Sequence, residues 1–136
     1  MPIEDEKTIE KILRDAKTIA VVGASPKPGR DSGTIARFLA GRGYTVLPVN
    51  PAYQDVFGMK CYPDLASTGA KIDIVDVFRR PDEIDPIIDE AIAVGASTVW
   101  LQLGVVNEEA AKRAEEAGLN VIMDLCIAVE HRRLIR

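Results

Sequence analysis

The feature that most restricts the fold of this chain is the alternation of short, β-branched runs with segments of helical periodicity. The β-branched runs fall at five places: residues 18–25, 44–50, 72–78, 97–104 and 120–126. Runs of this composition are typical of strands that are covered on both faces of a sheet. Because strands that alternate with helices are joined by crossover connections, the pattern predicts a parallel sheet with helices on both faces.

Helical segments are predicted between these strands and at both ends of the chain. They are residues 9–13, 35–39, 81–95, 107–118 and 128–134. Residues 51–71 contain two prolines and two glycines and break the alternation, so they predict a structured loop with one short helix around residues 64–67. The whole pattern indicates an α/β fold, a Rossmann-like, doubly wound parallel sheet of about five strands.

Length and charge limit the number of domains, the class of partner and the compartment. A chain of 136 residues, 47% hydrophobic and 28% charged, is typical of one globular domain. Its net charge of -4 argues against nucleic acid or an anionic membrane as the partner, since phosphate surfaces attract basic proteins. Because the sequence shows no signal peptide or apolar span, we expect a cytoplasmic protein in which Cys61 and Cys126 are reduced. We expect it to be a monomer or a small homo-oligomer.

The stretch VVGASPKPGRDSG, residues 21–33, carries the main functional signal because it joins a predicted strand to a predicted helix. Gly23 allows a tight turn or a close backbone approach, and residues 32–34 would present free N–H groups at the helix start. These N–H groups and the helix dipole favour a diphosphate, and Lys27 and Arg30 add positive charge. A purely structural strand-to-helix connection is the alternative interpretation.

Two common nucleotide-binding patterns are disfavoured. A dinucleotide fingerprint needs G-x-G-x-x-G and an acid about 20 residues further on. Counting from Gly23, Ser25 and Pro28 occupy the other two glycine positions, and the second predicted strand ends in Asn50-Pro51 rather than in an acid. A P-loop is excluded because no G-x-x-x-x-G-K-[ST] occurs. The loop alone therefore predicts a phosphate without identifying the ligand.

Several segments, taken together and in order, resemble those of the small stand-alone CoA-binding proteins, whose fold is similar to the N-terminal CoA-binding domain of the succinyl-CoA synthetase α subunit. The segments are TIAVVGASPKPGRDSG, VLPVNPAY, GMKCYPDL, DIVDVFRRP, VWLQLGV followed by NEEAAKRAEEAGL, and DLCIAVEHRRL. Because they cover nearly the whole chain, residues 1–136 are expected to form a single CoA-binding domain. The resemblance implies coenzyme A or an acyl-CoA as the ligand.

The resemblance also implies a site spread over the ends of four strands. The first loop would hold the pyrophosphate and a neighbouring phosphate, the second would lie at the nucleotide end, and the third and fourth would flank the adenine and the start of the pantetheine arm. The implied contacts are Gly23, Ala24, Ser25, Lys27, Arg30 and Gly33; then Asn50, Pro51 and Tyr53; then Phe78, Arg79 and Pro81; and finally Leu103, Gly104 and Val105. Several cations suit CoA better than NAD, since CoA carries a 3′-phosphate as well as its pyrophosphate.

The sequence shows no catalytic constellation. The synthetases that this chain resembles work through a phosphohistidine on a second domain, whereas His131, the single histidine here, is predicted to pack or cap near the chain end. Cys126 and His131 would lie about 140° apart on a helix, so they do not form a nucleophile–base pair. Asp73, Asp76 and Asp124 are predicted as strand-end or capping acids, and no metal site is apparent.

These observations predict a non-catalytic CoA-binding protein that serves as a carrier, sensor or accessory subunit for an unidentified protein partner. Two alternatives stay open. One is a small NAD- or nucleotide-binding oxidoreductase or acyl-transfer component, which would need an acid–base pair near the strand ends. The other is an interaction module without a ligand. Cys126 lies near the expected ligand edge, where, in protein exposed to an oxidant, it could form a mixed disulfide with the CoA thiol.

Overall fold

The computed structural model describes residues 1–135, which form seven strands and five α-helices. The strands are β1 (Thr18–Val22), β2 (Thr45–Val49), β3 (Asp55–Val56), β4 (Met59–Lys60), β5 (Ile74–Val77), β6 (Thr98–Leu101) and β7 (Asn120–Met123). The helices are α1 (Glu6–Asp15), α2 (Asp31–Gly41), α3 (Ile84–Ala93), α4 (Glu108–Glu116) and α5 (Ile127–Leu134). Across these described residues, no helix is long and apolar enough to cross a membrane.

Five of the strands form one parallel sheet in the order β2-β1-β5-β6-β7. The chain passes from β1 outward to β2 and then crosses back to place β5 on the other side of β1. This reversal makes the boundary between β1 and β5 the topological switch point. In open sheets of this kind, ligands bind beyond the carboxyl ends of the strands at that point.

Apolar cores lie on both faces of the sheet because the side chains of its strands alternate between the two faces. Helices α1, α2 and α5 cover one face, where Ile19 and Val21 of β1 join their core. Helices α3 and α4 cover the other, where Ala20 and Val22 of the same strand join the second core. Trp100 of β6 is fully buried on the α2 and α5 face, and its indole N–H donates to the carbonyl of Leu125 at 2.8 Å.

The structure confirms the predicted α/β fold of five parallel strands with helices on both faces. It adds an antiparallel hairpin, β3 with β4, inside the segment predicted as a structured loop. The hairpin turns at Phe57 and Gly58, whose φ values of 51° and 82° suit a two-residue turn. The short helix predicted around residues 64–67 is a 3₁₀ turn at Ala66–Thr68. The helix predicted over residues 81–95 opens at Pro81 as a 3₁₀ turn, Pro81–Glu83, and continues as α3 from Ile84.

Two of the three acids predicted to cap strand ends do so. The carboxylate of Asp73 accepts from the N–H groups of Lys17 and Thr18 at 2.8 and 3.0 Å, and that of Asp124 accepts from Gly104 N–H at 2.7 Å. The prediction for Asp76 is wrong, because Asp76 lies inside β5 and is fully buried. A single acid in a valine-rich run does not reveal from sequence which face of the strand it occupies.

Asn107 fixes the start of α4 and ties it to the loop after β5. Its Oδ1 accepts from the N–H of Ala110 at 3.0 Å, as a helix cap does, and its Nδ2 donates to the carbonyl of Pro81 at 2.9 Å. One side chain therefore sets the position of α4 relative to the strand end that borders the switch point.

Substituting Asn107→Ala should lower the free energy of unfolding by about 1 kcal/mol, because the helix loses its cap. Asn107→Asp keeps the capping oxygen and loses only the donor to Pro81, so its loss should be smaller. Urea unfolding followed by the fluorescence of buried Trp100 measures both values. Equal losses in the two variants would show that the cap contributes little.

Candidate functional site

The loops after β1 and β5 touch at the switch point. The N–H of Phe78 donates to the carbonyl of Val22, and the N–H of Gly23 donates to that of Val49, both at 2.8 Å. Gly23 has a φ of 89°, and a Cβ built on it would lie 2.2 Å from the carbonyl oxygen of Phe78. Glycine is needed at this position because it lets the two backbones meet.

Hydrogen bonds within the chain fix the shape of the first loop. The N–H of Ser25 donates to Ser32 Oγ at 3.1 Å, and Ser25 Oγ accepts from the N–H of Lys27 at 3.2 Å. From the end of β2, the side-chain amide of Asn50 donates to the carbonyl of Ala24 at 3.0 Å. Ala24, Ser25 and Asn50 are buried, so these residues hold the loop from inside.

Helix α2 begins beside this loop without a side-chain cap, since Arg30 at the capping position makes no capping hydrogen bond. The first N–H groups of a helix have no partner within the helix and carry a partial positive charge, so this start can receive an anion. Gly33 in the first turn has a different role. A Cβ there would lie 2.2 Å from the carbonyl oxygen of Ser25 and 2.6 Å from the ring of Phe57, so the glycine serves packing.

An open groove of about 840 Å³ lies over the ends of β1, β5 and β6, against the start of α2. Small-molecule sites usually measure about 300–1,000 Å³, so the groove has a suitable size. Arg30, Arg79 and Arg80 bring positive charge to it. Arg80 pairs with Glu83 at 3.3 Å, whereas the side chains of Arg30 and Arg79 have no ion pair or hydrogen bond within residues 1–135. The cationic side of the groove therefore holds two unpaired guanidinium groups.

Apolar side chains line the other side of the groove, including Ile35, Leu103 and Val105. Leu103 is 68% exposed, while Val105 is buried. Asp124, with a φ of 63°, holds the Gly104 N–H and so fixes the loop that carries Leu103. The groove can therefore accept a ligand with an anionic end and a less polar arm.

The predicted contacts divide between this groove and its surroundings. Those that line the groove are Gly23, Arg30, Phe78, Arg79, Pro81, Leu103, Gly104 and Val105. The others do not line it: Ala24, Ser25, Lys27, Gly33, Asn50, Pro51 and Tyr53. Pro51 borders a smaller depression that Arg79 also lines, and Tyr53 packs partly buried on the α2 face. Lys27 is exposed on the loop. Contact between any of these residues and a ligand stays a prediction.

Five residues that line the groove were not indicated as contacts by the sequence: Gly29, Asp31, Ile35, Glu83 and Gln102. Gln102 is 5% exposed, and its Oε1 accepts from the N–H of Ile127 at 3.1 Å, which fixes the start of α5. A glutamine near the end of an otherwise apolar strand run is a signal that could have singled it out.

Cys126 and His131 are held apart. Cys126 lines the groove at the start of α5, whereas His131 borders a depression beside Thr45, the first residue of β2. Burial lowers the pKa of His131, and the positive charges of Arg42 and Arg132 add to the shift. The histidine is buried against the rings of Phe38 and Tyr44, which is the packing role that the sequence predicted. Within residues 1–135, no cluster of three or more histidine, cysteine or acidic side chains could hold a metal ion.

Comparison with known proteins places the chain among relatives of similar length. Residues 17–132 match the family described as "CoA binding domain". The uncharacterized protein YneT of Bacillus subtilis is 42% identical over 123 residues, which span 90% of this chain and 91% of that protein. The solved structure of a hypothetical protein from Pyrococcus horikoshii OT3 matches with a TM-score of 0.95 at 43% identity, covering 100% of this chain and 97% of its own.

A much longer relative contains the same part within a larger enzyme. The ADP-forming acetate–CoA ligase I of Archaeoglobus fulgidus is 24% identical over 123 residues, which span 83% of this chain and 18% of the ligase. The chain therefore corresponds to one part of that protein.

The packing role of Gly33 can be separated from helix propensity within α2. Gly33→Ala should lower the free energy of unfolding by about 1–3 kcal/mol, because the new methyl group overlaps the carbonyl of Ser25. Gly41→Ala is the matched control: nothing lies within 4 Å of a Cβ there, so the variant should be neutral or more stable. Thermal unfolding measures both. A Gly33→Ala variant as stable as the control would contradict the packing role.

Proposed function

The chain belongs to the family of CoA binding domains, and on that premise we propose that it binds coenzyme A or an acyl-CoA in the groove at the switch point. The phosphates would lie at the start of α2, between Arg30 and Arg79. The pantetheine arm would run toward Leu103 and Val105. In this arrangement the cationic side of the groove would contact the phosphates, and the apolar side would contact the pantetheine arm.

The observation that carries the proposal is the meeting of three unsatisfied groups at one edge. Helix α2 starts without a side-chain cap, and the side chains of Arg30 and Arg79 have no polar partner within residues 1–135. Guanidinium groups form strong charge-assisted hydrogen bonds with phosphate oxygens. A ligand with several phosphate groups would satisfy all three at once.

We further propose that the chain does not carry out chemistry itself and presents its ligand to another protein. The residues that fix the groove, such as Asn50, Gln102 and Asp124, are engaged in hydrogen bonds with backbone groups. Cys126 and His131 line separate surfaces. In the ligase relative, the matching part is 18% of the length, so most of that enzyme lies outside it. We propose that a separate partner protein would supply the reaction chemistry for this chain.

Ligand preference should follow the 3′-phosphate and the pantetheine arm. We expect calorimetric titration to give the tightest binding for CoA, weaker binding for dephospho-CoA, which lacks the 3′-phosphate, and the weakest for NAD, which has the same pyrophosphate as dephospho-CoA but no pantetheine arm for the apolar side to contact. Loss of one charge-assisted contact corresponds to about 1.5–3 kcal/mol, so dephospho-CoA should bind at least about tenfold more weakly. A preference for NAD would contradict the proposal.

The two unpaired arginines should account for much of the affinity. The double variant Arg30→Glu/Arg79→Glu should bind CoA at least about a hundredfold more weakly, since it loses two charge-assisted contacts and gains two repulsive charges. The matched control is Lys7→Glu/Lys112→Glu, which makes the same change in net charge at exposed positions on α1 and α4. Similar losses in both variants would show that only net charge matters and would refute the assigned phosphate site.

A further inference from the structure

Asp76 is an ionisable side chain in the centre of the sheet without a polar partner. It lies on β5 opposite Val21 of β1 and Trp100 of β6. Its exposed fraction is 0%, and no hydrogen bond reaches either carboxyl oxygen from any residue in the range 1–135. Because buried polar groups in proteins are nearly always hydrogen-bonded, this carboxyl group requires an explanation.

Asp76 lies one layer of side chains below the groove. Alternation along β5 places Asp76 and Phe78 on the same face, and Phe78 lines the groove. The rise of a strand separates the Cα atoms of these two residues by about 7 Å. On β6 the same alternation places Trp100 below Gln102, which also lines the groove. The carboxyl group of Asp76 therefore lies beneath the groove, on a strand that borders the switch point.

The surroundings of Asp76 favour its neutral form. Burial raises the pKa of Asp76 well above its ordinary value. The packed residues of α1 and α2 on this face are not ionisable, and Arg30 and Asp31 lie at the rim of the groove. The titratable groups in the layer packed on this face are Tyr44, Tyr53, Cys61, Cys126, Glu130 and His131. No hydrogen bond joins any of these described groups to Asp76, so no cation compensates a carboxylate there.

Resting on the proposed function, we propose that Asp76 links CoA binding to the uptake of a proton from solvent: the neutral carboxyl group tolerates the phosphates above it, and the ionised carboxylate repels them. Like charges repel strongly where water is excluded. Because coupling between two ligands is reciprocal, a bound polyanion and the proton on Asp76 each favour the other. The affinity for CoA should therefore fall as the pH rises through the pKa of Asp76 in the folded protein.

The stability of the free protein should also fall as the pH rises. The pKa of Asp76 is higher in the folded state than in the unfolded state. Its contribution to stability is therefore greatest below the unfolded pKa and is lost as the pH rises through the folded pKa. Asp76→Asn cannot ionise and keeps the size of the side chain, so it should remove this loss. The variant provides the comparison for the binding experiment.

The experiment measures the dissociation constant for CoA from about pH 6 to the highest pH at which the free chain stays folded, for the full chain, Asp76→Asn and Glu116→Gln. Where Asp76 ionises in the free protein, affinity should fall more steeply in the wild type than in Asp76→Asn, by about tenfold for each pKa unit by which bound CoA raises the pKa of Asp76. Titration of the phosphates of CoA is common to all three proteins and cancels. Glu116→Gln removes an exposed carboxyl group on α4, away from the groove, and should keep the wild-type slope, which separates Asp76 from the loss of any one acid.

Each outcome bears on one proposal. Equal slopes in the wild type and Asp76→Asn, with CoA bound by both, would overturn the proton link and leave the proposed function standing. A slope lost in Glu116→Gln would also overturn it. No binding of CoA by the wild type at any pH would overturn the proposed function instead. If Asp76→Asn does not fold, carbon-13 NMR of the Asp76 carboxyl group in the wild type decides: its titration midpoint must move to higher pH when CoA is added, and an unchanged midpoint refutes the link.

Discussion

The backbone after β1 lies so close to the backbone after β5 that no side chain fits between them, and the candidate site depends on this contact. Gly23 provides the space, and the carbonyl of Phe78 fills it. The contact holds the ends of two central strands together at the switch point and directs the chain toward the start of α2. Hydrogen bonds within the chain, from Ser25, Ser32 and Asn50, then fix the loop. A loop that is already ordered loses little conformational entropy on binding.

This contact changes the meaning of the glycines in the sequence. From sequence, Gly23 and Gly33 indicate room for a phosphate, because glycine allows a close backbone approach. In the structure, that close approach is to other parts of the same chain. Both glycines would therefore be required even if the protein bound nothing. The stronger argument for an anion comes from Arg30, Arg79 and the uncapped start of α2, and only the fold shows that these groups have no polar partner among residues 1–135.

The sheet could be predicted from the sequence because each buried strand repeats a local pattern, and the sum of these patterns specifies the α/β class. Features that depend on which strands become neighbours could not be predicted in this way. The acid of Asp76 shows this limit: its burial depends on β1 and β6 lying on either side of β5 and on α2 and α5 covering that face. The β3–β4 hairpin, with two residues in each strand, is too short to produce a periodic pattern.

The net charge of -4 does not conflict with binding of a polyanion, because the charges of this protein are distributed unevenly. Some cations away from the groove are paired with acids: Arg113 contacts Asp85 and Asp89, and Arg133 contacts Glu6. These pairs neutralise charge on helices remote from the switch point. At the groove, Asp31 and Glu83 also belong to the lining, but Arg30 and Arg79 have no acid partner within residues 1–135. Asp76, an acid near the centre of the sheet, lies where burial favours its neutral form. An acidic protein can therefore hold a positive site, and on our proposal the positive potential of that site falls when the carboxyl group of Asp76 loses its proton.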